Sequence, residues 1–171
     1  MDVQDIEIQS MKEIVDIAVG IPLFTYEMQQ NAPRPTGEYA AVKCTSSFNP
    51  GYDECRIIDV NGEEMFRSRG VRILTFNILF SREGEEYIKY DNSYYRPDVI
   101  AAMKQRGFAA LGKQALNLAS VTLETNWEVR QGLIAQFNVL RESITPVGTM
   151  SNASVGGKFI DGDQVITIKG I

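Results

Sequence analysis

The sequence predicts an α+β fold, an antiparallel or mixed β-sheet with helices packed on one side, in a single domain over 1–171. Three observations predict it. Helical spacing of apolar residues occurs near the N-terminus and again near the middle of the chain. The stretches between and after alternate apolar and polar residues and are punctuated by turn signals, Asn61-Gly62 the strongest. The resulting order is helix, several strands, helix, then strands, the pattern of a sheet layered against helices. With 171 residues, 44% of them hydrophobic, the chain is long enough for one real core.

The first helix is expected over 6–19, where Met11, Ile14, Val15, Ala18 and Val19 recur at three-and-four spacing. Ser10 is a candidate N-cap, and Gly20 with Pro22 stops the helix. Residues 23–28 (LFTYEM) read as a first strand, and 38–48 as a second, entered through NAPRPTGEY. The turn NPGYD sends the chain back over 54–60. Asn61-Gly62 then leads into the longest strand, EMFRSRGVRILTFNILFSRE, in which the apolar phase slips near Ile73 and Leu74 and Gly70 marks a candidate bulge. Apolar residues on both faces there predict a strand that is central or packs on a neighbouring subunit.

A charged turn and the aromatic stretch YDNSYY follow. Arg96-Pro97-Asp98 opens the next helix, with proline in its first turn and Val99, Ile100 and Met103 on its apolar side. Gly107 and Gly112 break that pattern, and a short helical piece is expected over 108–116. The last third is β again. Residues 119–127 lead into 130–141, where Leu133, Ala135, Phe137 and Val139 share one face, and 160–171 form a C-terminal extension strand.

Charge is unevenly placed. Residues 1–32 hold six acids against Lys12 alone, while the remaining 16 acids and 16 bases balance, giving −5 overall. The acidic helix, over 1–20, reads as a solvated face, or else as a wall that lines or repels a polyanion. A body without basic excess argues against tight direct binding to nucleic acid. No apolar run approaches the length of about 18 residues that spans a bilayer, and the acidic N-terminus lacks the basic and apolar regions of a signal peptide. Those features predict a soluble chain made in the cytosol. Cys44 and Cys55, expected on adjacent strands, read as small hydrophobes rather than as a disulfide.

No histidine is present, which removes Ser-His-Asp and Cys-His nucleophile systems and most zinc and iron sites. No catalytic, metal or cofactor-binding residue is assigned. SVGGK at 154–158 lacks the phosphate-loop spacing and reads as a turn. DGD at 161–163 lacks the further ligands of a calcium loop and reads as a hairpin turn. Glu83, Glu85 and Glu86 with Asp91 read as a solvated charged turn rather than a cation site. Tyr87, Tyr90, Tyr94 and Tyr95 form the densest aromatic group, open to packing within the chain or to a partner contact. PRPTG is either a rigid lead into a strand or a stiffened loop that presents Arg34 to a partner.

QNAPRPTGEYAAVK, the later strand RSRGVRILTFNILF and the closing VTLETNWEVRQGLIAQFNVLRESITPVGTMSNASVGG together resemble the neck or tail terminator proteins of tailed bacteriophages. The resemblance covers about 26–160, with 31–39 its most specific part. It implies a ring, commonly of six subunits, that caps the tail tube and joins it to the head-side connector or adaptor, with a sheath protein as a further neighbour. Genomic DNA would pass through the channel without specific binding, no membrane would be involved, and the protein would reside in the virion neck after assembly in the host cytoplasm. Pro33, Arg34, Pro35, Gly37, Tyr39, Tyr94 and Tyr95 are then the candidate subunit or tube contacts. The alternatives are another virion joint or tube subunit, and a small enzyme or ligand-binding domain built on Lys, Asp or Glu.

Overall fold

In the computed structural model of the chain, the described residues are 3–28, 35–81, 85–116, 119–123, 126–148, 152–159 and 162–169. They form three helices and nine strands. Helix α1 (Asp5–Val19) buries Met11, Ile14, Val15, Ala18 and Val19, the stripe its spacing predicts. Its N-cap is Gln4 rather than Ser10, which lies inside the helix. Glu7, three residues on, accepts the Gln4 N–H at 2.8 Å and satisfies a donor that the helix leaves orphaned. Gly20 ends the helix with a φ of 81° in the left-handed region, where a side chain is disfavoured.

Strands β1 (Thr25–Glu27) and β2 (Ala40–Phe48) pair in parallel, and β2 pairs antiparallel with β4 (Glu63–Ser81). Between them in sequence, β3 (Glu54–Val60) pairs with β4 through Asn61-Gly62. Both turn residues have positive φ, 59° and 87°, as a two-residue primed turn requires. Past β4, helices α2 (Glu85–Ser93) and α3 (Pro97–Gln105) precede β5 (Phe108–Ala115), β6 (Ala119–Leu123) and β7 (Asn126–Pro146). The seven strands form one mixed sheet in the order β1-β2-β4-β7-β5, with β3 on β4 and β6 on β7. Strands β8 (Asn152–Phe159) and β9 (Gly162–Lys169) form a separate antiparallel pair. No helix among the described residues is long and apolar enough to cross a membrane.

The chain divides into two compact units: a body, Met1–Asp53 with Arg69–Arg141, and a smaller unit, Glu54–Ser68 with Glu142–Ile171. In the body, Leu74, Phe76, Ile78 and Phe80 of β4 and Leu133, Ala135, Phe137 and Val139 of β7 are buried together with the apolar stripes of the helices. The four β7 residues share the face that their alternation predicts. Aromatic rings run through this core: Phe80 to Tyr90 (centroids 5.8 Å), Tyr90 to Tyr94 (6.1 Å), Tyr94 to Phe137 (6.3 Å) and Phe137 to Phe108 (5.3 Å). Their tilted and edge-on geometries match the quadrupoles of the rings.

Five further local expectations change. The charged turn at Glu85 and Glu86 is the first turn of α2, where acids complement the helix dipole, and Glu86 and Tyr90 are buried one turn apart. The helical piece expected over 108–116 is strand β5. Gly107, with φ 75°, ends the preceding helix, and the following residues pair with β7 from Phe108↔Val139 to Ala115↔Leu133. Short apolar runs satisfy either period, and pairing decides here. SVGGK lies within β8 rather than at a turn. The phase of β4 does not slip at Ile73-Leu74: Leu74, Phe76, Ile78 and Phe80 hold the core face, and Ile73 is half-buried on the other. The register shift against β2 falls between Cys44 and Ser46. Gly70 has a different role: a Cβ there would overlap the Asp53 carboxylate, which forms a two-pronged bond to Arg72 at 2.8 Å in each arm.

Phe137 is completely buried at the centre of the ring cluster. Phe137→Ala is expected to lower unfolding stability by about 3–5 kcal/mol and the Tm by about 10 °C, measured by calorimetry of the purified chain. A loss below about 1 kcal/mol would show that this cluster does not organise the core.

Candidate functional site

Five of the seven contact candidates lie among the described residues. Pro33 and Arg34 lie outside the described residues, as does the rest of 29–34. Pro35 is half-buried and Gly37 is exposed, with a φ of 93° that disfavours any side chain. The chain is pinned where it leaves this loop. The Tyr39 N–H donates to Ser81 Oγ at 2.8 Å, and the Ser81 N–H donates to the Tyr39 carbonyl at 2.9 Å. The Tyr39 ring is buried, edge-on to Tyr26 at 6.2 Å.

Tyr94 and Tyr95 are separated by burial. Tyr94 lies in the core, donates to the Gly112 carbonyl at 3.3 Å, and has its phenol pushed well above the usual range by desolvation, then by Tyr95. Tyr95 is exposed and packs edge-on to Tyr94 at 4.9 Å. The Lys113 ammonium lies 5.3 Å from the Tyr94 centroid and 6.0 Å from that of Tyr95, and donates to the backbone carbonyl and carboxylate of Asp91. Sequence reading missed Lys113 because it assigned this segment to a helix.

The acidic helix is not simply a solvated face. Glu7 is buried and accepts two bonds from Arg141 of β7, at 3.0 and 2.7 Å, while also capping its own helix. Glu13 accepts from Arg106 at 2.8 Å, and that bond holds its carboxyl below the usual range. Arg96 joins three elements: it donates to Ser93 Oγ at 2.8 Å, to the Ile17 carbonyl at 3.0 Å and to both oxygens of Asp98 at 2.6 and 2.9 Å. Two of the N-terminal acids therefore fasten α1 to the rest of the body through guanidinium contacts, that of Glu7 forked over both oxygens. Both cysteines are free, Cys44 buried and Cys55 exposed; burial pushes the Cys44 thiol up.

Alternation turns a second set of body residues away from the helices. The register places Lys43 opposite Asn77, Ala109 opposite Asn138, and Gln114 opposite Ile134. Gln136 reaches across to Thr75 at 3.4 Å, joining β7 to β4. These side chains are partly or fully exposed. A shallow recess of about 160 Å³ is lined by Gly112, Lys113, Gln114, Ile134 and Gln136. Among the described residues, no group of three or more His, Cys, Asp or Glu could hold a metal ion. In the smaller unit, β3 is exposed along most of its length, and Ile57, Phe66 and Ile144 offer apolar side chains to the surface.

The family described as phage neck terminator protein matches residues 8–163 of the chain. No curated protein matches it.

Removing one member of a buried ion pair leaves the other charge unpaired. Arg141→Met is expected to cost about 3–5 kcal/mol, and adding Glu7→Leu to recover part of that loss; denaturant titration of the single and double variants measures both. Glu13 has a depressed pKa in the folded chain, so the unfolded chain binds its proton more readily. Its contribution is present above the ordinary carboxyl value of 4.5 and is lost as pH falls through the lower, folded value. Glu13→Gln should therefore flatten the acid limb of a stability–pH profile relative to the wild type.

Proposed function

Since the chain belongs to the phage neck terminator protein family, we propose that it is a non-enzymatic structural subunit of the virion. In this reading about six copies close into a ring by rotation. The ring terminates the tail tube and joins it to the head-side connector or adaptor. Its neighbours are the tail tube protein, the connector and, on a contractile tail, the sheath protein. The subunit is incorporated during assembly in the host cytoplasm. The observation that carries the reading is the family match over 8–163.

Geometry adds support at two places. The loop containing Pro35 and Gly37 leaves through a doubly bonded exit at Tyr39 and Ser81, which fixes the position of that exit before a partner docks. Arg34 and Pro33 belong to the same proline-rich stretch, and Arg34 is suited to an acidic partner. In the smaller unit, exposed Ile57, Phe66 and Ile144 provide apolar area for a neighbouring protein. DNA moving through such a ring requires walls that do not grip phosphate, and a chain of net charge −5 meets that requirement.

Quantitative mass spectrometry of purified particles tests the reading. About six copies per particle are expected, half the number of portal subunits, and Arg34→Ala or Pro35→Ala should reduce incorporation. A copy number many times larger would make the protein a tube subunit, and absence from washed particles would overturn the structural role.

A further inference from the structure

Copies of a chain of net charge −5 repel one another at long range, and surfaces poor in acids meet at low electrostatic cost. The body has such a surface. On the sheet face turned away from the helices, β2, β4, β7 and β5 present Lys43, Thr75, Asn77, Ile134, Gln136 and Asn138 around the centre. Within the body, the alternating positions from 41 to 43 on β2, 73 to 79 on β4, 132 to 140 on β7 and 109 to 114 on β5 include no Asp or Glu. Charge depletion with mixed polar and apolar side chains is the composition of an interface centre.

Four strands at about 4.8 Å spacing and nine residues of β7 at about 3.3 Å rise give a footprint of about 500 Å². Exposed Phe48 at its margin extends that area toward the value of about 800 Å² per partner found in stable complexes. The recess beside Gln136 and Ile134 is a seat for an anchoring side chain. We propose that this helix-free face of the body sheet is where a second copy of the chain seats in the assembled ring. The proposal rests on the ring reading and names the surface that reading leaves open. Duplex DNA is the competing occupant; Lys43, with Lys113 at the recess already paired to Asp91, is too little for a phosphate-binding surface, which needs clustered bases.

Gln136→Glu and Asn77→Asp test this with almost no change in shape, both placing acid at exposed or half-exposed positions. Gln105→Glu, exposed on α3, is the matched control for charge. Each variant is supplied as the sole source of the chain to assembling particles. Circular dichroism and Tm of the purified variants should match the wild type, while copies per particle and particle yield fall at least about tenfold for the face variants and hold for the control. Wild-type incorporation of the face variants would overturn the proposal, and if DNA ejection alone changed, the face would be a channel wall. Equal loss for Gln105→Glu would show general charge sensitivity and also overturn it. If the wild type is itself absent from particles, the ring reading fails first, so the two failures are distinguishable.

Discussion

Alternation along β4 and β7 sends successive side chains to opposite faces of one sheet, and the three helices bury the face that carries Leu74, Phe76, Phe80, Leu133 and Phe137. Most other features of the body follow from that constraint. The buried face needs large apolar groups in fixed rotamers, hence the chain of rings from Phe80 to Phe108. Most residues on the opposite face are partly or fully exposed, so they are of types that tolerate water. Thr75, Asn77, Gln136 and Asn138 meet that condition, whereas an Asp or Glu would suit only water.

Attachment of α1 depends on the same sheet. An acidic helix placed on a body of balanced charge gains little from long-range charge. Local pairing reverses that balance: Arg141 reaches Glu7 from β7, and Arg106, just beyond α3, reaches Glu13. Arg96 completes the set by bonding to the Ile17 carbonyl. Bidentate guanidinium contacts give both energy and direction, so the helix is fixed in angle as well as in place. Net charge counted along the sequence misses this, because the partners are 134 and 93 residues away from the acids they neutralise.

For a neck component these properties are mechanical. A component of a virion neck must hold its shape against its neighbours, and close packing resists deformation. The pinned exit at Tyr39 and the Asp53–Arg72 bond, with Gly70 leaving room for its carboxylate, hold strand ends and turns in place. Exposed apolar side chains in the smaller unit, Ile57 and Phe66 among them, contribute little to the isolated chain and gain value only when covered.

The sequence by itself determined the elements whose signals are local. The stripe of α1, the Asn61-Gly62 turn, proline at the start of α3, the buried face of β7 and the α+β class are all visible within a few residues of one another, because helical and strand periods and turn torsions are short-range properties. The family resemblance was also legible in its motifs. Tertiary structure alone decided the rest. It made 108–115 a strand by giving it β7 as a partner, and made 85–93 a helix by burying Tyr90 against Phe80. It also separated Tyr94 from Tyr95 by burial and matched Glu7 with Arg141. The acid-free face likewise exists only after folding, since its residues come from four strands and touch through register rather than through order along the chain.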